Sequence, residues 1–145
     1  MAQTFSRETT GKLDTAGLSL LDGRTYRAKA KSIRATIDYD GQAAGDTIVL
    51  GELPVGATFL YGVIIASATA GAAATIAIGP AATPAKYRAA AVFTAADTPT
   101  MFGKASAAAA DPLTAAERVL ATVGTAALPT SADYLTVELF YSDAA

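Results

Sequence analysis

Apolar and polar residues alternate along several short stretches of this chain. Ile33, Ala35, Ile37 and Tyr39 fall on one side of an extended segment, and Ser32, Arg34, Thr36 and Asp38 on the other. A period of two is the mark of a half-buried β-strand, whose side chains point to opposite faces in turn. The pattern recurs at Tyr134-Leu135-Thr136-Val137-Glu138-Leu139. Read this way, the chain is expected to form strands at Arg27 to Asp40, Thr47 to Leu50, Thr58 to Ser67, Thr75 to Ile78, Lys86 to Phe93, Thr100 to Phe102, Arg118 to Val123 and Tyr134 to Tyr141. Turn residues punctuate them: Asp40 to Asp46, Pro54-Val55-Gly56, Gly79-Pro80 and Asp97-Thr98-Pro99. Ser106 to Ala110, low in complexity, reads as loop.

The third strand is apolar on both faces, with Phe59, Tyr61, Val63 and Ile65 opposed to Leu60, Ile64 and Ala66. That predicts a central strand covered on both sides, or one whose outer face meets a partner. One stretch carries conflicting signals. Asp111-Pro112 is a helix-start signature and Gly124 a stop, whereas Arg118 to Val123 has the β-branched content of a strand. The strand is the expectation here, with Asp111-Pro112 as loop or a single turn.

Leu53-Pro54 followed by Phe59-Leu60 echoes Leu128-Pro129 followed by Tyr134-Leu135, as equivalent hairpins in two sheets would. About eight short strands at near-regular spacing predict an all-β fold, a β-sandwich of jelly-roll-like form, over residues 26–145. Residues 1–25 differ in character: polar, glycine-containing, with isolated Phe5, Leu13, Leu18, Leu20 and Leu21. Alone they bury too little apolar area to offset their ordering entropy, so an extended N-terminal arm that orders on a neighbour is expected.

Composition narrows the function classes. Among 145 residues there is no histidine and no cysteine, which removes the commonest general base, the commonest metal ligand and the most reactive nucleophile. No nucleophile–base pair can be named, so the chain is not read as an enzyme, and no cofactor is expected. Asp38, Asp40 and Asp46 surround one loop but lack the ligand density of a calcium site, and a solvated loop is the reading; no metal is expected. Gly103-Lys104 lacks the rest of a phosphate-binding loop.

Charged residues are only 17% of the chain against roughly 25% in a typical soluble domain, which favours a surface that faces another protein. A net charge of −2 provides no footprint for nucleic acid. No export signal is seen, and the charge-free span from Leu53 to Lys86 is too rich in Thr, Ser, Gly and Pro for a membrane helix, so no membrane association is expected. Phe59, Tyr61, Phe93 and Phe140 fall at strand positions and are expected in the core; Tyr26, Tyr39, Tyr87 and Tyr141 lie nearer strand ends, where an amphipathic ring suits a subunit interface.

The run Arg27-Ala28-Lys29-Ala30-Lys31-Ser32-Ile33-Arg34-Ala35-Thr36-Ile37, then Gly45-Asp46-Thr47-Ile48-Val49-Leu50-Gly51 and Leu53-Pro54-Val55-Gly56, has a familiar cadence. With Ala74 to Gly79, Lys86 to Ala90 and Phe93 to Pro99, it resembles small structural proteins of tailed bacteriophages, the capsid decoration or cement proteins. The resemblance implies a β-sandwich bound to the outside of the head lattice, commonly as a homotrimer, with the major capsid protein as partner and the virion surface as location. It carries no contact motif. From the residues themselves, Phe5, Leu13, Leu18, Leu20 and Leu21 are the expected apolar anchors, with Arg7 and Arg24 pairing to capsid acids. A tail or neck component of the same virion, or a soluble binding module, are the alternatives.

Overall fold

The computed structural model describes residues 29–143. The expected arm, and with it Phe5, Arg7, Leu13, Leu18, Leu20, Leu21, Arg24 and Tyr26, lies outside the described residues. Eight strands follow one another: β1 Lys29–Asp40, β2 Thr47–Leu53, β3 Thr58–Ala66, β4 Thr75–Gly79, β5 Arg88–Val92, β6 Thr100–Phe102, β7 Glu117–Gly124 and β8 Thr130–Asp143. They form two antiparallel four-stranded sheets, β1-β8-β3-β6 and β2-β7-β4-β5. Only β4 and β5 are consecutive neighbours within a sheet. Every other connection crosses between the layers, so the chain winds back and forth through a two-sheet β-sandwich.

The alternation that predicted the strands also builds the core. Ile37 and Tyr39 from β1, Ile64 from β3 and Leu135, Val137 and Leu139 from β8 point inward from the first sheet. Ile76 and Ile78 from β4 and Val119, Ala121 and Val123 from β7 meet them from the second. Each fully buried Leu, Ile or Val contributes roughly 1.5–3 kcal/mol relative to exposure. The contested stretch is a strand: Val119, Ala121 and Val123 are buried while Arg118 is exposed, a period of two that a helix does not produce. Upstream, Leu113 donates its N–H to the Ala57 carbonyl and accepts from the Gly56 N–H, tying that loop to the β2–β3 turn.

Three expectations are corrected. Ala105–Ala108 is a short helix, α1, where loop was expected; four small residues with Ala107 turned inward complete one turn against β3. Strand β2 runs on past Gly51 because a bulge between Val49 and Gly51 shifts the register and lets both Leu50 and Leu53 face the core. The two Leu-Pro echoes are not hairpins: both β2–β3 and β7–β8 cross from the second sheet to the first, and their long strands β3 and β8 pair side by side. In the first crossing, Ala57 N–H donates to the Pro54 carbonyl, and Gly56 takes the positive φ of 83° that the third position of such a turn demands.

The sandwich has two ends. Lys29, Leu53, Thr58, Glu117 and Asp143 mark the lower one, where β1 begins and β8 finishes; Asp40, Thr47, Ala66, Gly124 and Thr130 mark the upper. Among the described residues no helix is long and apolar enough to cross a membrane.

Candidate interaction surface

The outer face of the first sheet offers apolar groups to solvent. Strand register sets its rows. Met101, Val63, Glu138 and Arg34 lie side by side across β6, β3, β8 and β1; Tyr61, Phe140 and Ser32 form the row below, and Ile65, Thr136 and Thr36 the row above. Met101 is 69% exposed and Tyr61 38%, while Val63, Ile65 and Phe140 are half-buried. The Tyr61 and Phe140 rings stack at 4.6 Å, a flat aromatic platform on the surface. Toward β1 the face turns polar, and the hydroxyls of Thr36 and Thr136 share a hydrogen bond of 3.2 Å.

Arg34 and Glu138 are register partners, yet no ion pair joins them or links either to another described residue. Their charges are free to meet a partner. Two shallow depressions flank the platform. One, of about 320 Å³, lies where β6 ends and is lined by Tyr61, Met101, Phe102, Lys104 and Ala108. The other, of about 140 Å³, lies between Arg34, Asp97, Tyr134 and Thr136. Such a surface suits contact with a protein more than capture of a small molecule, which is ordinarily enclosed on most sides.

The polar chemistry inside the sandwich is structural. At the lower end the Glu117 carboxylate accepts from Lys86 Nζ at 2.6 Å and from the Tyr87 hydroxyl. Burial first, and Glu117's hydrogen bond and charge after it, push the Tyr87 phenol well above its usual range. At the upper end the Tyr39 hydroxyl donates to the Ala68 carbonyl at 2.9 Å, and burial followed by the charge of Asp133 raises its pKa to about 12. Arg88 turns its guanidinium onto the carbonyls of Ile76, Ala91 and Val92, where burial lowers its pKa. The loop acids expected to stay solvated do not converge: Asp46 accepts from the Ala43 N–H at 2.7 Å, and no three His, Cys, Asp or Glu among the described residues come close enough to hold a metal.

Aromatic placement reverses part of the sequence reading. Tyr39, Tyr87 and Tyr141, expected at an interface, are buried, with the Tyr87 ring 4.3 Å from Phe59. Phe59 and Phe93 are in the core as expected, but Tyr61 and Phe140 stand on the outer face. For Phe140 the signal was present, since it shares a face with Glu138 and Thr136. For Tyr61 it was hidden: the register slips between Phe59 and Tyr61, so residues two apart in sequence point to opposite sides. The arm residues singled out from sequence cannot be set beside this surface, because they lie outside the described residues.

No protein-family model matches the chain, and no curated protein matches it. Solved structures do share its fold. A chain of the cyanophage Pam1 capsid asymmetric unit superposes with a TM-score of 0.68 at 19% identity, covering 98% of this chain and 99% of that one. A chain of the Ralstonia phage GP4 capsid gives 0.62 at 20% identity, over 88% of this chain and 92% of that one. A third, from the acidic stable capsid structure of Helicobacter pylori bacteriophage KHP30, gives 0.55 at 16% identity, over 78% and 86%. The arrangement of two sheets described above is therefore a fold found in chains of three phage capsid structures.

Proposed function

We propose that this protein is a structural component of a bacteriophage virion that decorates the capsid, binding its outer surface between major capsid protein subunits. The observation that carries the reading is the set of fold matches. The three structures are all phage capsids, and coverage of 86–99% of the matched chains means that those chains are close to this one in length. A small β-sandwich with an apolar outer face and no reactive constellation among its described residues suits a role of contact rather than chemistry. Many copies on a symmetric lattice then hold by avidity, without strong single contacts.

In this reading Phe5, Leu13, Leu18, Leu20 and Leu21 anchor the arm on the capsid, Arg7 and Arg24 pair with capsid acids, and the protein acts as a homotrimer. The test is biochemical. Purified heads of the parent phage should contain the protein, and removing it should lower the temperature at which they release DNA. Readdition of the full chain should restore that temperature, and a chain lacking residues 1–24 should restore it far less. Heads without the protein, or a truncated chain that restores them fully, would reject the proposal or its arm respectively.

A further inference from the structure

The charges of this molecule are sorted along the long axis of the sandwich. Around the upper end stand Asp38, Asp40, Asp46, Asp97 and Asp133, with Arg34 across one depression from Asp97 and no lysine beside them among the described residues. Arg88 reaches the upper half of β4 and β5, but its guanidinium is committed to main-chain carbonyls. At the lower end are Lys29, Lys31, Lys86, Lys104 and Arg118, with Glu52, Asp111, Glu117 and Asp143. Lys31 pairs with Asp143 at 2.9 Å and Lys86 with Glu117, while Arg118 lies opposite Glu52 in register. Lys29 and Lys104 keep no ion-pair partner among the described residues.

The lower end carries exposed apolar groups as well, as the upper end does at Val92 and Tyr134. Val55 at the tip of the β2–β3 turn is 62% exposed, and the larger depression beside Tyr61 and Phe102 is rimmed by Lys104. From this polarity we infer that the lower end is the docking end, seated against an acidic surface of a protein partner, and that the acidic upper end points away from it. The inference rests on the proposed capsid role and adds an orientation to it. A protein fits better than nucleic acid: the cationic excess is small, whereas a nucleic-acid surface calls for a dense basic footprint along the phosphates. Like-charge repulsion at the upper end opposes the inverted pose, so complementarity fixes orientation as much as affinity.

The experiment is cosedimentation of the full chain with heads of the parent phage that lack it, at about 50 mM and about 300 mM NaCl, where screening differs strongly. Lys29→Glu with Lys104→Glu should weaken binding by about tenfold or more at the lower salt, and Lys29→Gln with Lys104→Gln by an intermediate factor. Asp38→Lys with Asp40→Lys should bind within about twofold of the unaltered chain. All these side chains are at the surface without ion pairs, and circular dichroism melts confirm that each variant folds. Equal binding by the lower-end reversal, equal loss by the upper-end reversal, or retention of the chain on duplex DNA at the same salt would overturn the inference. Failure of the unaltered chain to bind heads at either salt is a different result, and it sinks the capsid role itself.

Discussion

Gly62 is the position where a single methyl group tests the packing of the first sheet. It sits in the middle of β3, between Leu139 on β8 and Phe102 on β6, and its inward side is filled by the Phe102 ring. A Cβ there would stand about 2.6 Å from both Cε atoms of that ring, well inside ordinary contact. In Gly62→Ala the ring must therefore swing away, carrying with it a strand only three residues long. Overpacking of this kind costs about 1–3 kcal/mol. The lower chain entropy of alanine returns about 0.5–1 kcal/mol. The net loss is about 1–2 kcal/mol, a fall in Tm of roughly 3–7 °C for a domain of this size. Thermal melts of Gly62→Ala, Phe102→Ala and the double variant make a complete cycle. With the ring removed, Gly62→Ala should be neutral or stabilising. An equal penalty in both backgrounds would show that the ring is not the obstacle, and the account of β6 packing would fall.

Two further predictions concern buried polar groups. The Tyr39 phenol is held neutral to about pH 12 in the folded state, whereas an unfolded tyrosine ionises near pH 10. A folded pKa above the unfolded one stabilises below pH 10 and is lost as the pH climbs toward 12, at up to about 1.4 kcal/mol per pH unit. Urea midpoints of Tyr39→Phe should show a loss of about 1 kcal/mol at neutral pH but a shallower alkaline decline; an unchanged decline would assign it elsewhere. Glu117→Gln weakens the acceptor that Lys86 and Tyr87 share; with the side chains partly exposed, about 1–2 kcal/mol is the expected loss in urea unfolding. The same substitution should move the Tyr87 phenolate titration to lower pH, because the carboxylate charge that opposes ionisation is gone. A titration that does not move would place that charge elsewhere.

Much of the fold was legible because a strand with one dry face must alternate. Ile33-Ala35-Ile37-Tyr39 and Leu135-Val137-Leu139 announced β1 and β8, and the register joins them residue by residue. The β-branched run in β7 outweighed an Asp-Pro helix signal because burial on a period of two, supplied by β2 and β4 on either side, decides such a tie. The interaction surface was only half legible. A two-sided apolar β3 did announce apolar residues on the outer face, but which aromatics stand on it depended on a bulge at Leu60 that no local pattern signals.

By itself, then, the order of residues determined eight strands, the inward faces of β1 and β8, and an absence of histidine and cysteine that rules out much reactive chemistry. Periodicity is local, so it survives without knowledge of neighbours. Only the tertiary structure decided the partition into two sheets, the burial of Tyr39, Tyr87 and Tyr141, the exposure of Tyr61, and the gathering of the described lysines at one end. Those depend on pairings between residues about a hundred positions apart, such as Lys31 with Asp143, where burial and charge belong to the assembled sheets and to no segment alone.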